Sequence, residues 1–405
     1  MAGLHPAAEP RPGPLQGIRV LDFTAMLAGP HCARLMADLG AEVIKIEGLE
    51  GDLIRSRPPL RDGNSTYFGA LNCGKKSVAI DLKTDAARSI IHALAKQSDV
   101  VVENFRPGVM TRLGLDYAAL KTVKRDIIYC AISGFGQDGP LKFNPAYDQI
   151  IQGLCGVMSV TGDAHSAPLR VGYPAADTMG GISAAFAIAA ALFRRERSGE
   201  GEFIDVSMLE ASLVAMGWAV SNWLIAGVKP QPMGNENMTA SPSGTFRTGE
   251  GLLNIAANKQ EQFETLCRLI DREGLVADPR FAGREDRKRR RFELNAEIER
   301  ALAAKSAREW STLLNKHGVP AGEVLDVPSV LEHPQIVERG LLKTFASVPG
   351  VGRPVRVVRS GFRLASGDPE PASPPPVLGA DTQDLLAELG FSKRDVDELA
   401  REGAI

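Results

Sequence analysis

The early chain repeats one pattern, a short apolar run followed by a turn and an amphipathic stretch, and this constrains the fold more than any other feature. Ile18–Phe23 (IRVLDF) reads as a buried strand, His31–Leu39 as a helix stopped by Gly40, and Glu42–Ile46 (EVIKI) as a second strand. Val78–Leu82 (VAIDL) reads as a third strand, and Thr84–Gln97 as a helix with Ile90, Ile91, Leu94 and Ala95 on one face. Asp99–Val102 and Ile127–Ile132 are further strands. Parallel neighbours need a crossover, and strands apolar throughout need cover on both faces. The rhythm therefore predicts an α/β unit with a parallel sheet between helices.

The pattern changes after about residue 227. Residues 228–243 (VKPQPMGNENMTASPS) are rich in Pro, Asn, Gly and Ser and read as a linker or functional loop. A smaller α+β unit is expected over 244–325, and residues 326–405 read as a return segment that includes a Pro-rich stretch, Asp368–Pro376. The larger unit is expected over 14–227, and residues 1–13 (MAGLHPAAEPRPG) as a disordered tail with no secretory h-region. A length of 405 residues fits this division into two or three domains.

The formal net charge of −2 gives no electrostatic reason for a nucleic-acid partner. Six histidines form no HxxxH or HExxH cluster, so no metal site is expected. Five well-separated cysteines without a CxxC pair read as reduced, buried thiols in a cytoplasmic setting. Met179–Phe193 is too short and too rich in small residues for a membrane span, and reads as a buried core helix. The basic run Arg284–Arg291 sits beside Glu285, Asp286 and Glu293 and reads as a solvated helix start.

Two local motifs bear on chemistry. Gly134–Gly139 (GFGQDG) has GxGxxG spacing after a strand, but Pro140 follows and no helical pattern opens there to receive a pyrophosphate, so it reads as a glycine-rich turn. Asp177 precedes the apolar helix expected over 178–193. It can be an N-cap whose carboxylate accepts a helix-start N–H. It can also be a nucleophile, ionised at neutral pH and favoured by the helix dipole, with Gly180 and Gly181 leaving the first turn open to a ligand and helix-start amides available to an oxyanion.

Seven ordered segments carry a resemblance over nearly the whole chain: residues 14–30 (PLQGIRVLDFTAMLAGP), 39–47 (LGAEVIKIE), 77–83 (SVAIDLK), 101–108 (VVENFRPG), 133–140 (SGFGQDGP), 171–181 (VGYPAADTMGG) and 378–391 (LGADTQDLLAELGF). With them the chain resembles the family III CoA transferases, a group that also includes the alpha-methylacyl-CoA racemases. The resemblance implies a Rossmann-like large domain built from both chain ends, a smaller domain between them, and an interlocked homodimer.

It also implies site residues. Asp177 matches the family's nucleophile. Leu27, Ala28, Ile80, Lys83, Asn104, Phe105, Arg106, Arg112, Ala146, Tyr147 and Asp148 match positions lining the CoA site, with Arg112 near the CoA phosphates. Coenzyme A enters as substrate, and no tightly bound cofactor, metal, nucleic acid or membrane partner is implied. In the racemase branch the place of Tyr147 holds a histidine acid/base. Tyrosine is a poor base at neutral pH, which favours transfer over racemisation. Leu27 stands where formyl-CoA:oxalate transferases carry Gln, they carry an Arg near Gly48 and a Lys near Pro145, and the 233–244 loop has few glycines. The pattern looks more like transferases using succinyl-CoA or acetyl-CoA with small dicarboxylates. An acyl-CoA racemase and a non-catalytic CoA-binding protein remain the alternatives.

Overall fold

The computed structural model describes residues 13–405; residues 1–12, nearly all of the expected tail, lie outside the described residues. The chain divides into two compact units. The first comprises residues up to Val157, Arg170–Val228 and Arg339–Ile405, and the second Met158–Leu169 and Lys229–Glu338.

The first unit is built on six strands: β1 (Arg19–Asp22), β2 (Glu42–Glu47), β3 (Lys75–Ala79), β4 (Val100–Glu103), β5 (Ile128–Ser133) and β6 (Glu202–Ser207). They lie in the order β3-β2-β1-β4-β5-β6, and every neighbouring pair is parallel. Alternation along the strands divides the core. Leu21, Ile44, Val101, Tyr129 and Ala131 pack with helix α2 (Asp85–Lys96) on one face. Val20, Val43, Val100, Val102, Cys130 and Ile132 pack on the other with α1 (Ala28–Asp38) and α4 (Ala175–Ser198). The Ile90, Ile91, Leu94 and Ala95 stripe of α2 is fully buried, each large side chain contributing about 1.5–3 kcal/mol. Strand order reverses between β1 and β4, which places a crevice outside their carboxyl ends, where α/β sheets of this kind bind ligands.

The third strand lies earlier than its apolar pattern suggests. Lys75, which begins it, is buried by an ion pair to Asp22, a partner hydropathy does not reveal. The expected end is lost to a turn at Asp81, where Lys83 N–H donates to Asp81 Oδ1 and Thr84 N–H to the Asp81 carbonyl. Thr84 then caps α2 through its hydroxyl. The chain returns to this edge at its end: Asp381 accepts from Ser77 N–H, and α7 (Thr382–Glu388) and α8 (Lys393–Arg401) place Leu385, Leu386, Val396 and Leu399 in the core under α2. α8 opens with a capping box between Ser392 and Asp395.

α4 is a core helix on one face only. Gly180, Gly181, Ala184, Ile188 and Leu192 are buried, whereas Phe186 is 77% and Phe193 66% exposed. After β6 come α5 (Met208–Ala215) and α6 (Gly217–Ala226), the second of which has no buried residue.

The second unit holds a three-stranded antiparallel sheet of β7 (Ser243–Arg247), β8 (Leu252–Ala256) and β9 (Ala321–Glu323), with β8 central. Its core joins Phe246, Leu253 and Ile255 to Phe263, Leu294, Ile298, Leu302, Trp310 and Leu314 from the packed helices. The basic run opens a helix, Arg284–Arg289, as expected, with Arg284, Glu285 and Arg289 exposed, but its solvation is partial. Arg284, Arg287 and Arg291 turn back onto the carbonyls of Thr239, Ser241 and Asn237 respectively, and Arg287 is 3% exposed. Irregular backbone has no ladder to satisfy its carbonyls, and here arginines on one face supply the donors.

Candidate active site

The turn from β1 into α1, residues 24–27, is fixed by side chains distant in sequence. Asn104, just beyond β4, accepts from Ala25 N–H at 2.9 Å and donates to the Ala25 carbonyl at 2.8 Å. Lys45 Nζ donates to the Thr24 carbonyl at 2.7 Å and pairs with Asp52 at 3.0 Å. Asp52 in turn accepts from Met26 N–H at 3.3 Å. Met26 has φ 68°, a left-handed conformation that a non-glycine residue keeps only where its surroundings impose it.

Below the turn, Lys75 and Asp22 form a fully buried ion pair at 2.8 Å. Burial pulls Lys75 down to about 8, against the opposing pull of Asp22. Burial alone would raise Asp22, but Lys75 and Lys45 outweigh it and hold the carboxyl below its ordinary value, so the pair is ionised at neutral pH.

The turn delivers Leu27 as the N-cap of α1. Its side chain makes no cap, and the first turn of α1 carries no acid. An uncapped helix start offers N–H donors and a positive dipole end. α4 packs against this end: a side chain at Gly181 would come within 2.6 Å of the Ala28 carbonyl and 3.1 Å of the His31 ring. One at Gly180 would meet Met208 at 2.9 Å. The two glycines therefore serve close packing, and the expectation that they open the first turn to a ligand is corrected.

Asp177 lies one turn before Gly181 on the same side of α4. It is the third residue of a helix that starts at Ala175, so it is not the N-cap; Pro174 occupies that position. The helix-start amides expected to serve an oxyanion are already used. Asp148, the first residue of α3 (Asp148–Leu154), accepts from Ala176 N–H at 2.9 Å and Asp177 N–H at 3.4 Å. Asp148 also accepts from Gln152 Nε2 at 2.7 Å and faces Arg170 at 3.5 Å. The Asp177 carboxyl is half-buried, and burial, followed by repulsion from Asp148, pushes it up to about 7. The helix start does not hold it in an ordinary acidic range as expected, because burial outweighs the dipole and Asp148, at the dipole's end, adds repulsion. A carboxylate of raised basicity is a stronger nucleophile once ionised.

The other expected residues fall into groups. Leu27 and Ala28 stand at the α1 start and Asn104 beneath its turn. Phe105 N–H donates to Glu103, Arg106 is exposed, and the Arg112 guanidinium folds back toward Gly108 in the same turn. Arg106 lines a cavity of about 270 Å³ with Glu103, Thr111, Tyr129 and Gln137. Ala146 packs on Gly134, and Tyr147 is 65% exposed as the residue before α3. Ile80 has its side chain in the sheet core, and Lys83 is exposed in the turn before α2. The GFGQDG segment forms a turn with Gly136 and Gly139 at positive φ and opens no helix, as expected. Sequence reasoning missed Gln152, Arg170, Lys45 and Asp52. For Asp148 and Gln152 the spacing of four on a helix was a usable signal; for the others there was none.

A profile of CoA-transferase family III matches residues 15–382. The chain is 38% identical over 357 residues to the acetyl-CoA:oxalate CoA-transferase of Acetobacter aceti, covering 88% of this chain and 91% of that one. It is 34% identical over 397 residues to the succinate–glutarate CoA-transferase of Agrobacterium fabrum, covering 95% and 98%. A crystal structure of a CAIB/BAIF family protein from Brucella suis superposes with a TM-score of 0.84 at 34% identity, covering 94% of this chain and all of that one.

Proposed function

The chain belongs to CoA-transferase family III, and from that premise we propose that it moves CoA from a short acyl-CoA, succinyl-CoA or a similar donor, to a small dicarboxylic acid through covalent intermediates on Asp177. The observation that carries this reading is the half-buried Asp177 carboxyl, pushed up to about 7 beside the uncapped start of α1. Its similarity to transferases named for oxalate and for succinate and glutarate supports a dicarboxylate acceptor.

The cycle runs in two halves. An Asp177 carboxylate oxygen attacks the donor's acyl carbon, the C–S bond breaks, and CoA thiolate leaves a mixed anhydride. The thiolate attacks the aspartyl carbonyl and expels the donor acid, giving an aspartyl-CoA thioester. The acceptor carboxylate displaces CoA from that thioester to form a second anhydride. CoA thiolate then attacks the acceptor's acyl carbon and frees Asp177. Each tetrahedral step places negative charge on a carbonyl oxygen, and the backbone N–H groups of Ala28 and Gly29, at a helix start without a side-chain cap, are suited to receive it. Because the attacking group must be ionised, adduct formation on the free enzyme is expected to rise with pH through about 7.

The reading extends to a homodimer in a reducing, cytoplasmic setting. Support for the first comes from the exposed apolar side chains of α6, and for the second from five buried free cysteines. The experiment is intact-protein mass spectrometry after mixing with succinyl-CoA or acetyl-CoA. A mass increase equal to covalent CoA, absent in Asp177→Ala, is expected. No adduct from any short acyl-CoA, with CoA binding intact, would sink the covalent mechanism.

A further inference from the structure

α3 places two buried polar side chains one turn apart, and both are directed at the segment that carries Asp177. Asp148 is 6% exposed and Gln152 is fully buried. Gln152 Oε1 accepts from Val171 N–H at 2.9 Å, and its Nε2 donates to the Tyr173 carbonyl at 3.2 Å. Asp148 Oδ1 accepts from Ala176 and Asp177, while Oδ2 accepts from Gln152 and faces Arg170. The run from residue 170 to residue 177 is thus held by two α3 side chains at the backbone of Val171, Tyr173, Ala176 and Asp177.

We propose that Asp148 is a positioning residue for Asp177, its carboxylate fixing the start of α4 and placing a second negative charge, paired with Arg170, beside the nucleophile. This rests on the reading of Asp177 as the nucleophile. A cap by Asn or Ser would satisfy the same amides without placing a second negative charge there. A carboxylate does both, and the exposed Arg170 guanidinium at 3.5 Å partly offsets its field. Of the charged and titratable groups on the elements packed against this part of α4, Asp148 on α3 adds to burial in raising Asp177, Arg170 in the lead-in segment pairs with Asp148, His31 on α1 lies against Gly181, and Glu210 on α5 is exposed. Burial, with Arg34 and Lys75 nearby, lowers the pKa of His31, which keeps its ring neutral near pH 7. Asp148 is the charged group that adds to burial in raising Asp177.

Two substitutions have opposite expected effects. Asp148→Asn removes the like charge but keeps an acceptor oxygen, and should move the pH midpoint of aspartyl adduct formation down by about one unit. Arg170→Gln removes the offsetting cation at an exposed position and should move the midpoint up by a smaller amount. The measurement is the rate of adduct formation by mass spectrometry across pH 5–9 for both variants and the wild type. Opposite shifts support the proposal. Unmoved midpoints in variants that still form the adduct on Asp177 would overturn it while leaving the nucleophile in place. If Asp148→Asn does not fold, the direction of the Arg170→Gln shift decides. If the wild type forms no adduct, the reading of Asp177 fails and takes this proposal with it.

Discussion

Asn104 holds both backbone polar groups of Ala25, 79 positions earlier, and so ties the end of β4 to the end of β1 where the strand order reverses. A side-chain amide suits this role because it donates and accepts in one plane. Asn104→Ala leaves an N–H and a carbonyl without these partners and is expected to cost about 2 kcal/mol. It should also loosen the turn that presents Leu27 and Ala28, raising KM for the acyl-CoA more than it lowers kcat. Asn104→Asp keeps the acceptor only and should fall between. Denaturant titration and steady-state kinetics on both variants check this; unchanged stability and KM in Asn104→Ala would count against the tie.

Asp177 is expected to destabilise the free protein at neutral pH. Its folded pKa of about 7 lies above the ordinary 3.8, so the native state binds more protons than the unfolded state between those values. Stability is therefore fully present below about pH 4, declines as pH rises through that window, and levels off above about 7. The decline is worth on the order of 2–4 kcal/mol. Asp177→Asn removes the titration. It should match the wild type near pH 4 and be more stable at pH 8, which thermal unfolding at the two pH values would show. Equal stability at pH 8 would mean the carboxyl is not held in a raised state.

In the second unit, the Arg287 guanidinium donates to the carbonyls of Ser241, Phe281 and Ala282 and to Gln260, at 3.0–3.2 Å, and lies over the Phe263 ring at 4.3 Å. Arg287→Met should cost about 3 kcal/mol, because the buried Ser241 and Phe281 carbonyls and the part-buried Ala282 carbonyl lose a donor. Arg287→Lys should recover little of this, since a single ammonium cannot span the fork. Calorimetry is expected to show a fall in the unfolding temperature in both variants; a rescue by lysine would argue that charge alone matters.

The sheet was legible because its strands are apolar throughout and its helices carry one buried stripe, as in Ile90, Ile91, Leu94 and Ala95. β3 was misplaced because Lys75 looks like a loop residue until Asp22 is seen beside it. Asp177 could be singled out from its glycine-rich surroundings, but its electrostatics could not. Its raised pKa depends on burial and on Asp148, which lies 29 positions earlier and also occupies the helix-start amides. The inward-turned arginines of the basic run were not legible for a related reason. The carbonyls it satisfies belong to a segment more than 40 residues away, and local charge pattern contains nothing about them.

α6 exposes an apolar surface among the described residues. Leu224 is 74% and Ile225 86% exposed, and Trp218 and Trp223 each expose more than half of their surface. α6 has no charged residue, and water-facing apolar side chains of this size in one patch mark an interface. A second copy of the chain is the expected cover. Analytical ultracentrifugation should report a dimer of the 43.3 kDa chain at micromolar concentration. The pair Leu224→Asp and Ile225→Asp buries charge in such an interface, at a cost of several kcal/mol, and should shift the protein to monomer. A wild-type monomer across the accessible concentration range would leave the patch without this explanation. A dimer unmoved by the double variant would place the interface elsewhere on the chain.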